Sequence, residues 1–375
     1  MKTATKRVLL SGAAALLAAG SLAACSNGAA SNGGGSTGAS ASAGSSDNAK
    51  IGLLLPDAVT ARYESADRPY FTAEVKAKCP SCTVLYQNAA GSASTQQQQA
   101  EAMLNQGVKV LVLDPFDGVA AASIVNEAKA KNVPVVSYDR LIDSGDLAAY
   151  ISFDNEKVGQ LQGQALVDKL KQDGVKSGSG IVMIDGSPTD NNATYFKKGA
   201  HSVIDSSGYK VLGEYDTPGW DPAKAGSWAS SNIPKIGLSK ITGVYAANDD
   251  TAGAVISALK TAGANPIPPT TGQDASLAGI QRILAGTQYM TVYKAFKPEA
   301  NQAADIAVQL AKGEKPNLTA TAQTASGKSA PAVLLTPVAV TIDNINDTVI
   351  KDGLYTKAQV CTSAYADACK KAGIE

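Results

Sequence analysis

The residues best able to do chemistry in this 375-residue chain are acids, cations and amides standing just beyond short apolar runs. Asp139-Arg140 closes the run at 133–137, Asp190-Asn191-Asn192 follows 181–184, and Asn248-Asp249-Asp250 follows 243–246. Gln273-Asp274 and Lys294 end two further runs, and Arg62-Tyr63, with Arg68 nearby, follows residues 51–55. Trp220 follows residues 210–215 across a Pro-Gly turn. Carboxylates accept from pairs of hydroxyls, guanidinium and ammonium groups donate, and asparagine does both. Charge-assisted bonds are the stronger ones, and arginine adds a planar fork. Rings such as Trp220 and Tyr63 can cover apolar C–H faces. This set suits the holding of a neutral sugar. Asp139 with Arg140 and Asp274 with Lys294 would balance charge in a closing cleft, where an unpaired buried charge is costly.

Each residue also has a plainer role. Asp and Asn at strand ends often cap the next helix, and for Asp190, Asp249 and Asp250 that is the stronger reading. Arg68 reads equally well as a helix-surface charge, Trp220 as a core ring, and His201 as a surface or packing residue. A single histidine makes His-based metal sites and Ser-His-Asp chemistry poor candidates. Gly327-Lys328-Ser329 looks like the end of a phosphate-binding loop, but the required glycine five residues earlier is Ala322, so that reading fails. No catalytic residue, metal or cofactor is expected.

The elements that must position these groups alternate in type. Strands at 51–55, 83–87, 108–113 and 133–137 are separated by helical spans at 63–78, 93–106 and 119–131, which predicts βαβ units and a parallel sheet. The strands are apolar throughout, so helices must cover both faces, and ligands in such sheets sit beyond the carboxyl ends of the strands. The strand at 149–153 should cross into a second lobe. There the pattern restarts with helices at 158–170, 193–205, 252–261 and 277–284 and strands at 181–184, 210–215, 243–246 and 267–271. Residues 289–293 should cross back before a helix at 299–310, and 333–340 should cross a third time. The expected fold class is α/β: two Rossmann-like lobes with parallel sheets joined by a three-strand hinge. The N-terminal lobe would hold 50–153 with 292–330, the C-terminal lobe 154–291 with 331–355, and a tail 356–375.

The N-terminus reads as an address. Lys2, Lys6 and Arg7 precede a short apolar segment and Leu22-Ala23-Ala24-Cys25, the layout of a secretory signal. The small residues before Cys25 resemble the lipobox of bacterial lipoproteins, which predicts a signal peptide over 1–25, lipidation of Cys25 and anchoring to the outer face of the cell membrane. Residues 26–49 lack large apolar side chains and read as a tether whose ends average ~25 Å apart. Without the three N-terminal cations the chain has 30 basic and 33 acidic residues, no footprint for nucleic acid. Cys79, Cys82, Cys361 and Cys369 form two sequence-local pairs, predicted as disulfides Cys79–Cys82 and Cys361–Cys369 although three connectivities are possible. A thioredoxin-like redox role for the first pair is the alternative; a zinc ribbon would need a second close pair.

SYDRLI, YISFDNEKVGQLQ, GSPTDNNA, AANDDTAGAVISAL, GQDASLAGIQRILAGTQYMTVYK and LLTPVAV with INDTVIKDG resemble the periplasmic D-xylose-binding proteins of bacterial ABC importers, in order from about Lys50 to Gly353. The resemblance implies the type I periplasmic-binding-protein fold with a pyranose held between the lobes. It implies that Arg62, Asp139, Arg140, Asn191, Asn248, Asp274 and Lys294 hydrogen-bond the sugar, with Asn192 beside them, and that Trp220 and Tyr63 stack on the ring. Tyr63 stands where the family pattern leads one to expect tryptophan, and residues 61–68 are one residue longer, which bears on the stacking face and on ligand identity. The implied partners of this monomeric receptor are a monosaccharide, most simply D-xylose, and a membrane permease served by a separate ATPase. The alternatives are arabinose, glucose or galactose as ligand, a receptor that signals to a membrane protein, and a secreted sugar-acting enzyme using paired carboxylates.

Overall fold

The computed structural model describes residues 48–374. The expected signal segment, Cys25 and all of the tether except its last two residues lie outside the described residues. Strands β1 (Lys50–Leu55), β2 (Thr83–Asn88), β3 (Val110–Leu113), β4 (Val135–Tyr138) and β5 (Ala149–Phe153) lie in the order β2-β1-β3-β4-β5, all parallel. Helices α1 (Arg68–Lys78), α2 (Ala93–Asn105) and α3 (Ala122–Ala130) connect them. Alternate strand residues feed opposite faces. Ile51, Leu53 and Leu55 meet Phe71 and Val75 of α1, whereas Leu54 meets Met103 of α2 and Ile124 of α3. Burial on both faces explains why the strands are apolar throughout.

The span expected as one helix over 63–78 opens instead with a π-helical turn, Tyr63–Asp67, before α1 begins. Pro69 has no N–H to give the carbonyl four residues back, so regular α bonding cannot run through this point. The wider turn carries Arg62 and Tyr63 at its start.

The second lobe contains α4 (Asn155–Gln172), β6 (Gly180–Asp185), α5 (Asn191–Ile204), β7 (Lys210–Asp216), α6 (Pro222–Ile236), β8 (Ile241–Ala246), α7 (Asp249–Thr261) and α8 (Leu277–Leu284). Its parallel sheet runs β7-β6-β8 and continues only as bridges, Val244 to Thr270 and Gln273 to Val292. The strand expected at 267–271 is reduced to that first bridge, because Pro266, Pro268 and Pro269 supply no donors to a ladder.

The closing segments are β9 (Thr291–Tyr293), α9 (Phe296–Ala311), β10 (Ala320–Gln323), β11 (Ser329–Leu335) and β12 (Val338–Val340). β9 pairs antiparallel with β12, while β11 runs parallel beside β5 with β10 antiparallel outside it. The boundaries at 292 and 331 therefore move. Val292 packs in the core of the second lobe, and Ala332–Leu335 pair with Tyr150–Phe153 of the first sheet. The crossings fall at Phe153-Asp154, Lys294-Ala295 and Thr336-Pro337, where proline divides the single strand expected over 333–340. The segment expected as a tail is part of the second lobe: Val360, Cys369 and Ile374 pack with Ile280 and Ile283 of α8. Cys361 is bonded to Cys369, and Cys79 to Cys82 just after α1.

Helices α4 and α5 cross at backbone contact. A Cβ on Gly159 would overlap the Phe196 carbonyl, and one on Gly199 the Glu156 carbonyl. Gly159→Ala must push the two backbones apart and should lower stability by about 3 kcal/mol, measured by urea unfolding, whereas alanine at the open Gly174 should cost far less despite its positive φ.

Candidate functional site

The carboxyl ends of both sheets converge on one polar cavity. Its wall is made by Thr60, Arg62 and Tyr63 after β1, Asp139 and Arg140 after β4, Asp190, Asn192 and Phe196 after β6, Trp220 after β7, Asn248 after β8, then Gln273, Asp274 and Lys294. The cavity is tight, with a volume of about 20 Å³. The walls thus stand within contact distance of anything held there.

Charge organises this wall. The Arg62 guanidinium is buried, donating from Nε to Asp67 Oδ2 at 2.9 Å and from Nη2 to Asp67 Oδ1 at 2.6 Å and Glu299 Oε2 at 2.7 Å. It lies 4.0 Å from the Phe296 ring centre, and its Nη1 stands 3.3 Å from Asp139 Oδ2 without a well-aligned hydrogen bond. Lys294 Nζ bridges Asp139 Oδ1 at 3.5 Å and Asp274 Oδ1 at 3.3 Å. Burial works to raise the Asp139 carboxyl, but Arg62, Lys294 and Arg140 together outweigh it and hold it at about 2. The Lys294 ammonium is favoured by the same two acids against its own burial. Burial pushes Glu299 and Asp114 well above the usual carboxylate range despite the nearby arginines, which favours their neutral forms and offsets the surplus of acid.

Arg140 ties the two lobes together. Its Nη2 donates to Tyr63 Oη at 2.9 Å, and its Nε stands 3.2 Å from Asp190 Oδ2, at the start of α5 in the other lobe. That same Asp190 oxygen accepts from Trp220 Nε1 at 3.0 Å, which fixes the indole edge-on to Phe196 with ring centres 6.2 Å apart. Gly186 makes room for the indole, since a Cβ there would overlap it. Asn192 Nδ2 donates to the Asp139 carbonyl at 2.8 Å, and its Oδ1 accepts from Tyr150 Oη at 3.1 Å, a second tie between the lobes.

Three of the wall residues hold strained backbone. Asp139, Trp220 and Asp274 have φ of 54°, 57° and 85°, a region costing a non-glycine residue about 1–3 kcal/mol. Asp139 directly follows β4, Trp220 ends the helical turn after β7, and Asp274 directly follows the bridge residue Gln273.

The capping readings divide. Asp190 does cap α5, accepting from the Asn192 N–H, and also faces the cavity. Asn248, not Asp249, caps α7; its Oδ1 accepts from the Thr251 N–H at 2.9 Å, and its amide nitrogen has no partner among the described residues. Asp249 is buried beneath Gly272 and Gly279 and accepts from the Ser276 N–H and Gln288 Nε2. Asp250 takes no part in the cap, which Asn248 supplies, and lines a neighbouring chamber. Arg68 pairs with Glu64 at the surface, and His201 pairs with Asp205 and Glu214, both away from the cavity. Asn191 is absent from the wall: its neighbour Asn192 faces inward, because consecutive residues at a helix start point about 100° apart.

The supporting partners Asp67, Asp57, Asp114 and Glu299 were not singled out in the sequence. Asp114 closes β3 as Asp139 closes β4, so the strand-end rule reaches it. Glu299 sits in α9, 237 positions from the arginine it binds, and carries no local signal.

A family model described as the periplasmic binding protein domain matches residues 51–315. The D-xylose-binding periplasmic protein of Escherichia coli is 42% identical over 322 residues, spanning 85% of this chain and 94% of that one. The protein of the same name from Haemophilus influenzae is 41% identical over 324 residues, with the same shares covered. Among solved structures, an ABC transporter solute-binding protein from Clostridium phytofermentans with bound β-D-glucose matches with a TM-score of 0.77 at 28% identity, over 83% of this chain and 99% of that one. The likeness seen in the sequence motifs is the one these comparisons find.

The Asp139 carboxyl has a measurable signature. It is held at about 2 in the folded protein and titrates near ~4 when unfolded. Its contribution is present in full above pH ~4 and is lost as pH falls from ~4 to ~2, about 2 kcal/mol in all. Urea unfolding of the sugar-free protein across that window should show this slope, and Asp139→Asn should flatten it.

Proposed function

Since the chain belongs to the periplasmic binding protein family and has its type I fold, we propose that it captures a monosaccharide, D-xylose first, and delivers it to the permease of an ABC importer. The observation that carries this reading is the wall itself. Two lobes present donors and acceptors of both charge signs around a small cavity, with Trp220, Tyr63 and Phe196 as its apolar faces. Arg62 Nη1, Asp139 Oδ1 and Gln273 Oε1 are buried without a hydrogen-bond partner, and such groups gain from a hydroxyl-rich guest. Arg62, Asp139, Arg140, Asn192, Asn248, Asp274 and Lys294 are assigned the polar contacts, and Trp220 and Tyr63 the ring faces. Asn191, whose Nδ2 is also buried without a hydrogen-bond partner, stays a candidate contact beside Asn192.

Binding rather than catalysis is supported by the relatives, which are named as sugar-binding proteins. The solved relative with β-D-glucose favours glucose as the alternative ligand. The protein would act as a monomer outside the cytoplasm, held by a lipid on Cys25; no helix among the described residues is long and apolar enough to cross a membrane.

Calorimetric titration with pentoses and hexoses tests the reading. D-xylose should bind tightly, and Asp274→Ala, which removes one of the two acids facing Lys294, should weaken it by about 2–3 kcal/mol, roughly a hundredfold. Failure of every sugar in the panel would sink the assignment. The anchor is tested separately: Cys25→Ser should release the protein from washed membranes into the medium, and unchanged membrane retention would refute lipidation at that residue.

A further inference from the structure

Beside the sugar cavity the second sheet comes apart. The Val244 N–H donates to the Pro269 carbonyl at 2.9 Å, and the Thr271 N–H to the Val244 carbonyl at 3.0 Å, as in a parallel ladder. Past that point side chains take over. The Thr271 hydroxyl accepts from the Ala246 N–H at 2.9 Å and donates to the Ala246 carbonyl at 3.0 Å. Gln162 closes the rest of the gap from α4. Its Nε2 donates to the Ala246 and Gly272 carbonyls, each at 3.0 Å, and reaches the Ala247 carbonyl at 3.4 Å.

The two segments so joined run straight into the cavity wall. Ala247 precedes Asn248, and Gly272 precedes Gln273 and Asp274, all three of which line the cavity. Val292 grips the second segment from its other side: its N–H donates to the Gly272 carbonyl at 3.0 Å, and its carbonyl accepts from the Asp274 N–H at 2.8 Å. Gln162 is the counterpart on the β8 side. It is fully buried and absent from the wall itself.

Glutamine is an odd occupant of this position. Val158, Leu166 and Leu170, which share its face of α4, belong to an apolar core. Its own Oε1 is buried without a hydrogen-bond partner, which is unfavourable. An apolar side chain of similar size would fill the space without that cost, so packing alone does not account for Gln162. What the amide adds is a donor for strand carbonyls that have left the ladder.

We infer that Gln162 is a positioning residue for sugar binding, setting the spacing between Asn248 and the Gln273-Asp274 pair and hence the fit of the cavity to its guest. The inference rests on the monosaccharide reading above and adds to it a residue that does not touch the ligand. Asp274 needs such a tie, because a φ of 85° persists only when the surroundings hold it.

The test titrates the full-length protein calorimetrically with D-xylose and D-glucose at about pH 5.5. For whichever sugar binds, Gln162→Leu should weaken binding at least about fivefold. Leu166→Ala loses packing one turn along α4, beneath the same strand near Gly243, and should weaken binding less. Gln162→Glu separates positioning from packing. A neutral acid there keeps one donor for the carbonyls, a carboxylate keeps none, and burial favours the neutral form. Gln162→Glu should therefore bind at least about threefold more tightly than Gln162→Leu at that pH. Should Gln162→Leu not fold, Gln162→Glu carries the test alone: its deficit against the unaltered protein should be larger at about pH 9 than at about pH 5.5, and an equal deficit overturns the role. A smaller loss in Gln162→Leu, an equal loss in Leu166→Ala, or no recovery in Gln162→Glu overturns it as well, while the monosaccharide reading stands. If neither sugar binds the unaltered protein, the monosaccharide reading fails and takes this inference with it.

Discussion

The structure depends on keeping three cations ionised in a place with almost no water. Arg62, Arg140 and Lys294 are each buried between the lobes, where an isolated charge would be several kcal/mol too costly to hold. They are tolerated because acids reach them from several sides: Asp67 and Asp139 on Arg62, Asp57 and Asp190 on Arg140, Asp139 and Asp274 on Lys294. No one segment could supply such a set. The doubly wound topology supplies it by bringing strand ends from both sheets to one place, and α9 adds Glu299 from behind.

That requirement explains local oddities that would otherwise look like defects. The π-helical turn at Tyr63–Asp67 sets Arg62 and Asp67 on one side so that a single carboxylate grips the guanidinium through two bonds. The positive φ at Asp139, Trp220 and Asp274 costs energy that flanking strands and cross-lobe bonds must offset. Asp190 caps a helix, orients an indole and neutralises an arginine at once. A residue with three such duties couples the second lobe's helix to the first lobe's charge.

The fold was legible in the sequence because its strands are buried on both faces and its helices fall between them at regular intervals. The errors have local causes. β10, Ala320–Gln323, is an edge strand of small and polar residues with only one partner, so it lacks an apolar run to announce it. Proline dissolved the strand at 267–271 and split the one at 333–340. Within the site, strand-end polarity pointed to Asp139, Arg140, Trp220, Asn248, Asp274 and Lys294, all of which line the cavity. It could not choose between Asn191 and Asn192, since that depends on helix phase, nor find Glu299, whose partner is remote in sequence.

The direct ties between the lobes constrain how a ligand could act. Asn192 bonds to the Asp139 carbonyl, and Arg140 faces Asp190, through protein atoms alone. A closed arrangement therefore owes part of its stability to the chain itself, and a ligand shifts the equilibrium only by what it adds beyond those bonds. Among the groups able to receive that addition are Arg62 Nη1, Asp139 Oδ1 and Gln273 Oε1, which are buried without hydrogen-bond partners. Two belong to the first lobe and one to the second, so a hydroxylated ring satisfying all three must bridge the lobes. On the proposed reading, discrimination among sugars would lie in whether a hydroxyl meets each of these atoms, because a buried polar group left unmatched costs about 1–3 kcal/mol. Specificity and closure are in this sense the same interaction, read once as affinity and once as movement.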